Sequence, residues 1–296
     1  MELTEEQKVA LKKLKVRSFR KDLRLVSLST LRREFAAKSS GRILIAPLIR
    51  NLVFQAATWM LDGKTEKIQG NLRSLFYQWI KPVVSRIPNQ GRQSDPYDAM
   101  CDALQLLVIE LKLFRYRQLE LVDENWENRW FTDGRNPQLL VFAEKTGFVM
   151  FLQKAQRHYG ITTIALGGAP SQLSTEYLCS QLREKIGTIE PLVLFGITDH
   201  DPSGAIISSS FQDQLLHQDV EVVEYHNLIK PAHYTEQELE YFRFPIPSKY
   251  RGRIESWMNE SGGIDGQPFG LEADSMPKSR LWDLLAEQIK PYLREL

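Results

Sequence analysis

Residues 192–206 read LVLFGITDHDPSGAI, and this stretch decides the architecture. Leu192 to Ile197 run without polar interruption, the pattern of a strand buried on both faces. The run stops at two acids, Asp199 and Asp201, and Pro202-Ser203-Gly204 opens the helical segment SGAIISSSFQDQLLHQ (203–218). The same unit repeats on either side. LLVFAEK (139–145), ITTIALGG (161–168) and VEVVEYHNL (220–228) read as further short strands. Between them, GFVMFLQKAQRHYG (147–160) and STEYLCSQLREKIG (174–187) read as helices closed by a glycine. Strands alternating with helices predict an α/β fold with a mostly parallel, Rossmann-like sheet covered on both faces. In such sheets functional groups collect beyond the carboxyl ends of the strands.

That rule singles out Glu144, at the end of the first of these strands, and Asp199 and Asp201, at the end of the third. Three carboxylates converging on one crevice repel, and a hard divalent cation with oxygen ligands relieves the repulsion. The plainer alternative makes Asp199 a helix cap and Asp201-Pro202 a turn. The alternation of strands and helices, with Glu144 two elements earlier, favours the metal platform.

Upstream the pattern is helical. Residues 4–15, 28–38 and a stretch from Pro47 to about 61 read as helices, and GKTEKIQG (63–70) as a loop. In NLRSLFYQWIKPVV (71–84), Leu72, Leu75, Phe76 and Trp79 form one buried stripe at helical spacing. Tyr77 lies to one side of that stripe, with Arg73 one turn earlier on the same flank. PNQGRQSDPYD (88–98) reads as a polar loop in which Asp95 caps a helix begun by Pro96. AMCDALQLLVIELKLF (99–114) is a second apolar helix, RQLELV (117–122) a strand, and DENWENRWFTDGRNPQ (123–138) a turn-rich linker. The expected divisions are a basic helical region over 1–62, a second domain over 63–130, and the α/β domain over 137–296.

Of 38 Lys and Arg and 37 Asp and Glu, the first 60 residues hold 13 and 5, leaving 25 and 32 for the rest. A basic leading segment on an acidic body suits an anionic partner such as nucleic-acid phosphate, or simply a solvated helix face. The charged N-terminus lacks the apolar core of a secretory signal. The greasiest segment, ILIAPLIRNLVFQAATWML (43–61), is interrupted by Pro47, Arg50, Asn51 and Gln55, so no membrane span is expected. Cys101 and Cys179 sit in helical apolar patterns as buried free thiols, without zinc spacing.

The order VFAEKTGFVMFLQ, LGGAPSQLSTEYL, ITDHDPSGAII resembles a Toprim domain, the acidic metal-binding fold of topoisomerases, primases and some nucleases. With Lys directly after the Glu, and Pro and Gly after the second Asp, it is most similar to the A subunit of topoisomerase VI and the related meiotic DNA double-strand-break transesterases. In that superfamily a winged-helix (CAP-like) domain precedes Toprim and carries a nucleophilic tyrosine in an Arg-x-x-aromatic-Tyr motif, here Arg73, Phe76 and Tyr77. FGLEADSMP (269–277) resembles the family's Glu-Ala segment, so the likeness spans roughly residues 65–290. It implies a homodimer that cleaves both strands of double-stranded DNA, each Tyr77 becoming linked to a 5′ phosphate. It implies magnesium, or alternatively manganese, on Glu144, Asp199 and Asp201, with Glu144 also shuttling a proton. A GHKL-type ATPase B subunit would be separate, since GKT at 63–65 lacks a phosphate-loop glycine pattern. The setting would be the cytoplasm or nucleoid of a bacterium or archaeon, or a eukaryotic nucleus. Two features depart from the family. His200 stands between the aspartates and reads as a solvated turn histidine, with a poised proton carrier as the alternative, and LGGAPSQLSTEYL carries no basic residue, with Glu176 near an expected arginine. Two alternatives stay open: a Toprim nuclease acting through an activated water, as in plasmid or phage defence, and a non-catalytic DNA-binding or scaffolding subunit.

Overall fold

Apolar residues that alternate between two buried faces shape the second half of the chain. The computed structural model describes residues 3–88, 95–123 and 130–294, and the chain divides into two units, Met1–Glu124 and Asn125–Leu296.

In the second unit, β1 (Trp130–Phe131), β2 (Leu139–Ala143), β3 (Thr162–Ala165), β4 (Leu192–Ile197) and β5 (Val222–Asn227) form one sheet in the order β1-β3-β2-β4-β5. The four strands from β2 onward are parallel, and β1 adds an antiparallel edge against β3. That edge strand lies in the segment expected to be only a linker. Leu139, Val141, Val193 and Phe195 point into one core with Phe148, Leu152, Leu281 and Leu285. Leu140, Phe142, Leu192 and Leu194 point into the other with Leu178, Leu182, Phe211 and Leu215. The two-residue period of a strand thus feeds two helical layers at once.

The first layer holds Val149–Tyr159 and Lys278–Ile289, the second Gln172–Ile186 and Pro202–His217. The connection from β2 leads to β3 on one side, whereas β4 leads to β5 on the other. The direction of winding therefore reverses between β2 and β4, which makes the crevice beyond their carboxyl ends the topological switch point. The rest of the unit comprises the helices Glu236–Phe242 and Arg251–Ser261 and a two-stranded sheet of β6 (Phe244–Pro245) and β7 (Phe269–Gly270).

The first unit contains α1 (Glu5–Lys13), α2 (Leu28–Phe35) and α3 (Ile45–Leu61). Two of the polar residues that interrupt the apolar run of α3, Asn51 and Gln55, are buried and hold the loop from α1 to α2. Asn51 donates to the carbonyls of Lys15 and Pro47 and accepts from Arg17 N. Gln55 accepts from Leu23 N and donates to the carbonyls of Phe19 and Lys21. They satisfy loop backbone that would otherwise be buried without partners. Among the described residues no helix is long and apolar enough to cross a membrane.

Two expectations for this unit are corrected. The helix over 72–84 contains a π-helical turn, Phe76–Ile80, between Leu72–Leu75 and Lys81–Val84. Pro82 lacks an N–H to give the preceding turn, and the wider turn accommodates that. The carbonyl of Gln78 is met instead by Arg24 Nη1 at 3.5 Å. The wider turn moves the buried face to Leu75, Trp79, Ile80 and Val83, leaving Leu72 and Phe76 half-buried. The strand expected over 117–122 is instead a 3-10 turn, Tyr116–Leu119, ended by Glu120 in the left-handed region at φ 55°. Leu121 then makes a single parallel bridge to Gly70. The second apolar helix begins at Pro96 under the Asp95 cap, as expected, and widens into a π-helical turn over Gln105–Glu110.

Candidate acidic site at the strand ends

Glu144 stands one residue beyond β2 but is still tied into the sheet. Its N–H donates to Ile197 O at 3.0 Å, and its carbonyl accepts from Gly168 N at 2.9 Å. Asp199 lies two residues beyond β4, and its backbone N–H donates to Glu144 Oε2 at 3.3 Å. The switch-point crevice therefore joins the first two of the three acids singled out in the sequence. The third, Asp201, caps the helix Pro202–His217, its Oδ1 accepting from Gly204 N at 2.7 Å. The helix cap is thus Asp201 rather than Asp199.

Gly204 is required by close approach: a Cβ there would lie 2.1 Å from the carbonyl oxygen of Asp199. The Pro-Ser-Gly sequence lets the first helical turn pack directly on the backbone that carries the acid.

The surrounding groups set the electrostatics. Burial pushes the Glu144 carboxyl above the ordinary glutamate range, and the charge of Asp199 pushes it the same way. Burial also raises Asp199, against the pull of its hydrogen bonds from Ala273 N, at 2.7 Å, and from Lys145. Lys145 Nζ lies 3.0 Å from Asp199 Oδ1 and 3.3 Å from Asp274 Oδ2, and also pairs with Glu272. Burial disfavours its ammonium, but the bonds to Glu272 and Asp199 prevail and hold it above the ordinary lysine range. Among the described residues, no three acidic, histidine or cysteine side chains close together as ligands of one ion.

His200 overturns its expectation. It is 8% exposed rather than solvated, and its ring lies 5.3 Å from that of Trp257. Its Nε2 is 3.4 Å from the Gly263 carbonyl, and its backbone bridges Leu271 in antiparallel fashion. Burial pushes its pKa below the ordinary histidine value, so it is a neutral packing residue near pH 7. Glu176 is likewise buried, within the helix Gln172–Ile186. Cys179 is buried as expected, whereas Cys101 is only half-buried.

Lys145, Glu272, Asp274 and the Ala273 N–H were not among the residues singled out as a site. The Lys directly after Glu144 and the segment FGLEADSMP were the signals for them, but only the fold brings the two together.

In the first unit, Tyr77 sits in the π-helical turn and is 53% exposed. The cation over its ring is Lys81 Nζ, 4.5 Å from the centroid and one turn later. Arg73, also exposed, stands over the ring of Tyr97 at 6.0 Å. Phe76 links the two tyrosines edge to face, with centroids 5.6 Å from Tyr77 and 5.5 Å from Tyr97. The outcome is a surface of three aromatic rings with two cations.

Compared with known proteins, the chain matches no family model, and no curated protein is significantly similar to it.

Proposed function

We propose that the protein is a DNA-cleaving transesterase of the topoisomerase VI A-subunit type, with Tyr77 as nucleophile and the crevice of Glu144, Asp199 and Asp201 as the phosphate-activating site. In this scheme the second unit is a Toprim domain and the first contains the winged-helix domain. What supports it most directly is the meeting of Glu144 and Asp199 at the switch point of a parallel sheet. Two acids are costly there without a counter-charge.

The donor set suits a hard divalent cation: the carboxylates offer only oxygen, and after burial it is the charge of Asp199 that raises the Glu144 carboxyl. Magnesium held by Glu144 and Asp199, which meet at the strand ends, would supply Lewis-acid stabilisation of charge on the phosphate. Tyr77 Oη would form the new P–O bond as the bond to the 3′ oxygen breaks. Its phenolic proton would pass to solvent water, and a proton relayed from water through Glu144 would go to the departing 3′ oxygen. The exposed Arg73, Tyr77 and Lys81, backed by the half-buried rings of Phe76 and Tyr97, offer cations for backbone phosphate and a ring for stacking. Two copies would cut both strands, and strand passage would need a separate ATPase subunit.

The test is incubation with supercoiled plasmid and Mg2+ or Mn2+, followed by denaturation and detection of protein-linked DNA. Adducts lost in Tyr77→Phe and in Asp199→Asn are expected. Cleavage that survives Tyr77→Phe but disappears in Glu144→Gln would indicate hydrolysis by an activated water. DNA binding without cleavage under any condition would leave a scaffolding role.

A further inference from the structure

The Lys145 ammonium lies among three carboxylates drawn from two distant segments: Asp199 beyond β4, and Glu272 and Asp274 near the C-terminus. Its backbone follows Glu144, which is locked into the sheet on both sides, so its reach is confined to this crevice. From these contacts we infer that Lys145 is a built-in counter-ion of the acidic site, which must release Asp199 for a divalent cation to bind. The inference rests on the proposed cation site and adds the element that governs its affinity.

Three features support release rather than a fixed structural clamp. First, Asp199 Oδ1 already accepts from Ala273 N at 2.7 Å, so the carboxylate keeps its orientation without the lysine. Second, the segment around Glu272 is held independently. His200 and Leu271 pair through both backbone N–H groups, at 2.8 and 3.2 Å. Lys278 Nζ is 3.6 Å from Asp274 Oδ1 and rests over the Phe148 ring. Third, Lys145 is a monovalent charge on a flexible stem, with its side chain 30% exposed. It can swing toward water, where its ammonium is well solvated. A divalent ion at Asp199 and Glu144 would repel it and take its place.

The experiment is calorimetric titration of the full-length protein with MnCl2, comparing wild type with Lys145→Met, Lys145→Gln, Lys145→Arg and Asp199→Asn. Removing a unit charge beside a divalent site should tighten Mn2+ binding by about tenfold or more in Lys145→Met and Lys145→Gln. Lys145→Arg should stay near wild type, and Asp199→Asn should lose the site. The melting temperature gives a second readout. Without metal, Lys145→Met should melt below wild type, and saturating Mn2+ should raise it by more than it raises wild type. Lys145→Gln, which keeps a hydrogen-bond donor toward Glu272, covers the case in which the methionine variant does not fold. Neutral variants that bind Mn2+ no tighter than wild type, while Asp199→Asn abolishes binding, would overturn the role of Lys145 and leave the cation site standing. Mn2+ binding that is absent, or indifferent to Asp199→Asn, would overturn the cation site and this inference with it.

Discussion

The two centres to which we assign chemistry are built in opposite ways. Glu144 and Asp199 are fixed by backbone: ladder hydrogen bonds to Ile197 and Gly168, the N–H of Ala273, and the close packing of Gly204 on Asp199. Tyr77 is presented on a surface helix, 53% exposed, with the Phe76 ring and the Lys81 ammonium against it. A group that must hold charge against repulsion needs a rigid surround, since the same acids in water would simply separate. A nucleophile of the kind proposed for Tyr77 needs access to a large polyanion, and the π-helical turn before Pro82 leaves Tyr77 exposed. Substitutions at the two centres should therefore separate activity from stability.

The largest expected effect is at Tyr77. Tyr77→Phe should lower covalent DNA adducts by at least about a thousandfold, while melting stays within about 0.5 kcal/mol of wild type, as for other exposed positions. A marked loss of stability in that variant, measured by thermal melts, would remove the contrast between the centres. Gly204→Ala should do the reverse. Its Cβ has no room against the Asp199 carbonyl, so the helix must shift at a cost of about 3 kcal/mol, or roughly 6–12 °C in melting temperature. Melting near wild type for Gly204→Ala would mean that the strand-end backbone is softer than its packing implies.

The same contrast explains how much could be read from the sequence. β2 to β5 were legible because each is a short run of buried residues bounded by helical patterns, and a parallel sheet demands that composition. The meeting of Glu144 and Asp199 was legible because strand ends are countable positions, whereas Asp201 serves as the helix cap. The π-helical turn was not, since the spacing of Leu72, Leu75, Phe76 and Trp79 assumes 3.6 residues per turn, and Pro82 undoes that assumption six residues after Phe76. His200 was misread because local sequence shows a turn, whereas its burial comes from Trp257 and Leu271, more than 50 residues away. Lys145 was seen as part of a motif, yet its partners Glu272 and Asp274 sit more than 120 residues downstream. What escaped were long-range contacts, among them the pairing of the edge strand β1, and local departures from ideal geometry: two π-helical turns and the 3-10 turn Tyr116–Leu119.

The smallest effect probes the cost of holding Glu144 in the crevice. Burial and the charge of Asp199 raise its pKa in the folded protein above the unfolded value near 4.3. For a carboxyl shifted upward, the stabilising contribution is complete below the unfolded pKa and is lost as the pH rises through the folded one. At pH 7 without divalent metal, the ionised Glu144 should therefore weaken the fold. Glu144→Gln keeps an oxygen to accept from Asp199 N and removes the charge, so it should melt above wild type at pH 7, by about 2–4 °C for a change of about 1 kcal/mol. The gap should close near pH 4, where Glu144 is largely protonated, and Mg2+ should narrow it at pH 7 by stabilising wild type alone. Tyr77→Phe should follow wild type across the same range. Glu144→Gln melting below wild type at pH 7 would mean that the charge-assisted bond from Asp199 N outweighs the repulsion, and that the crevice is balanced without a cation.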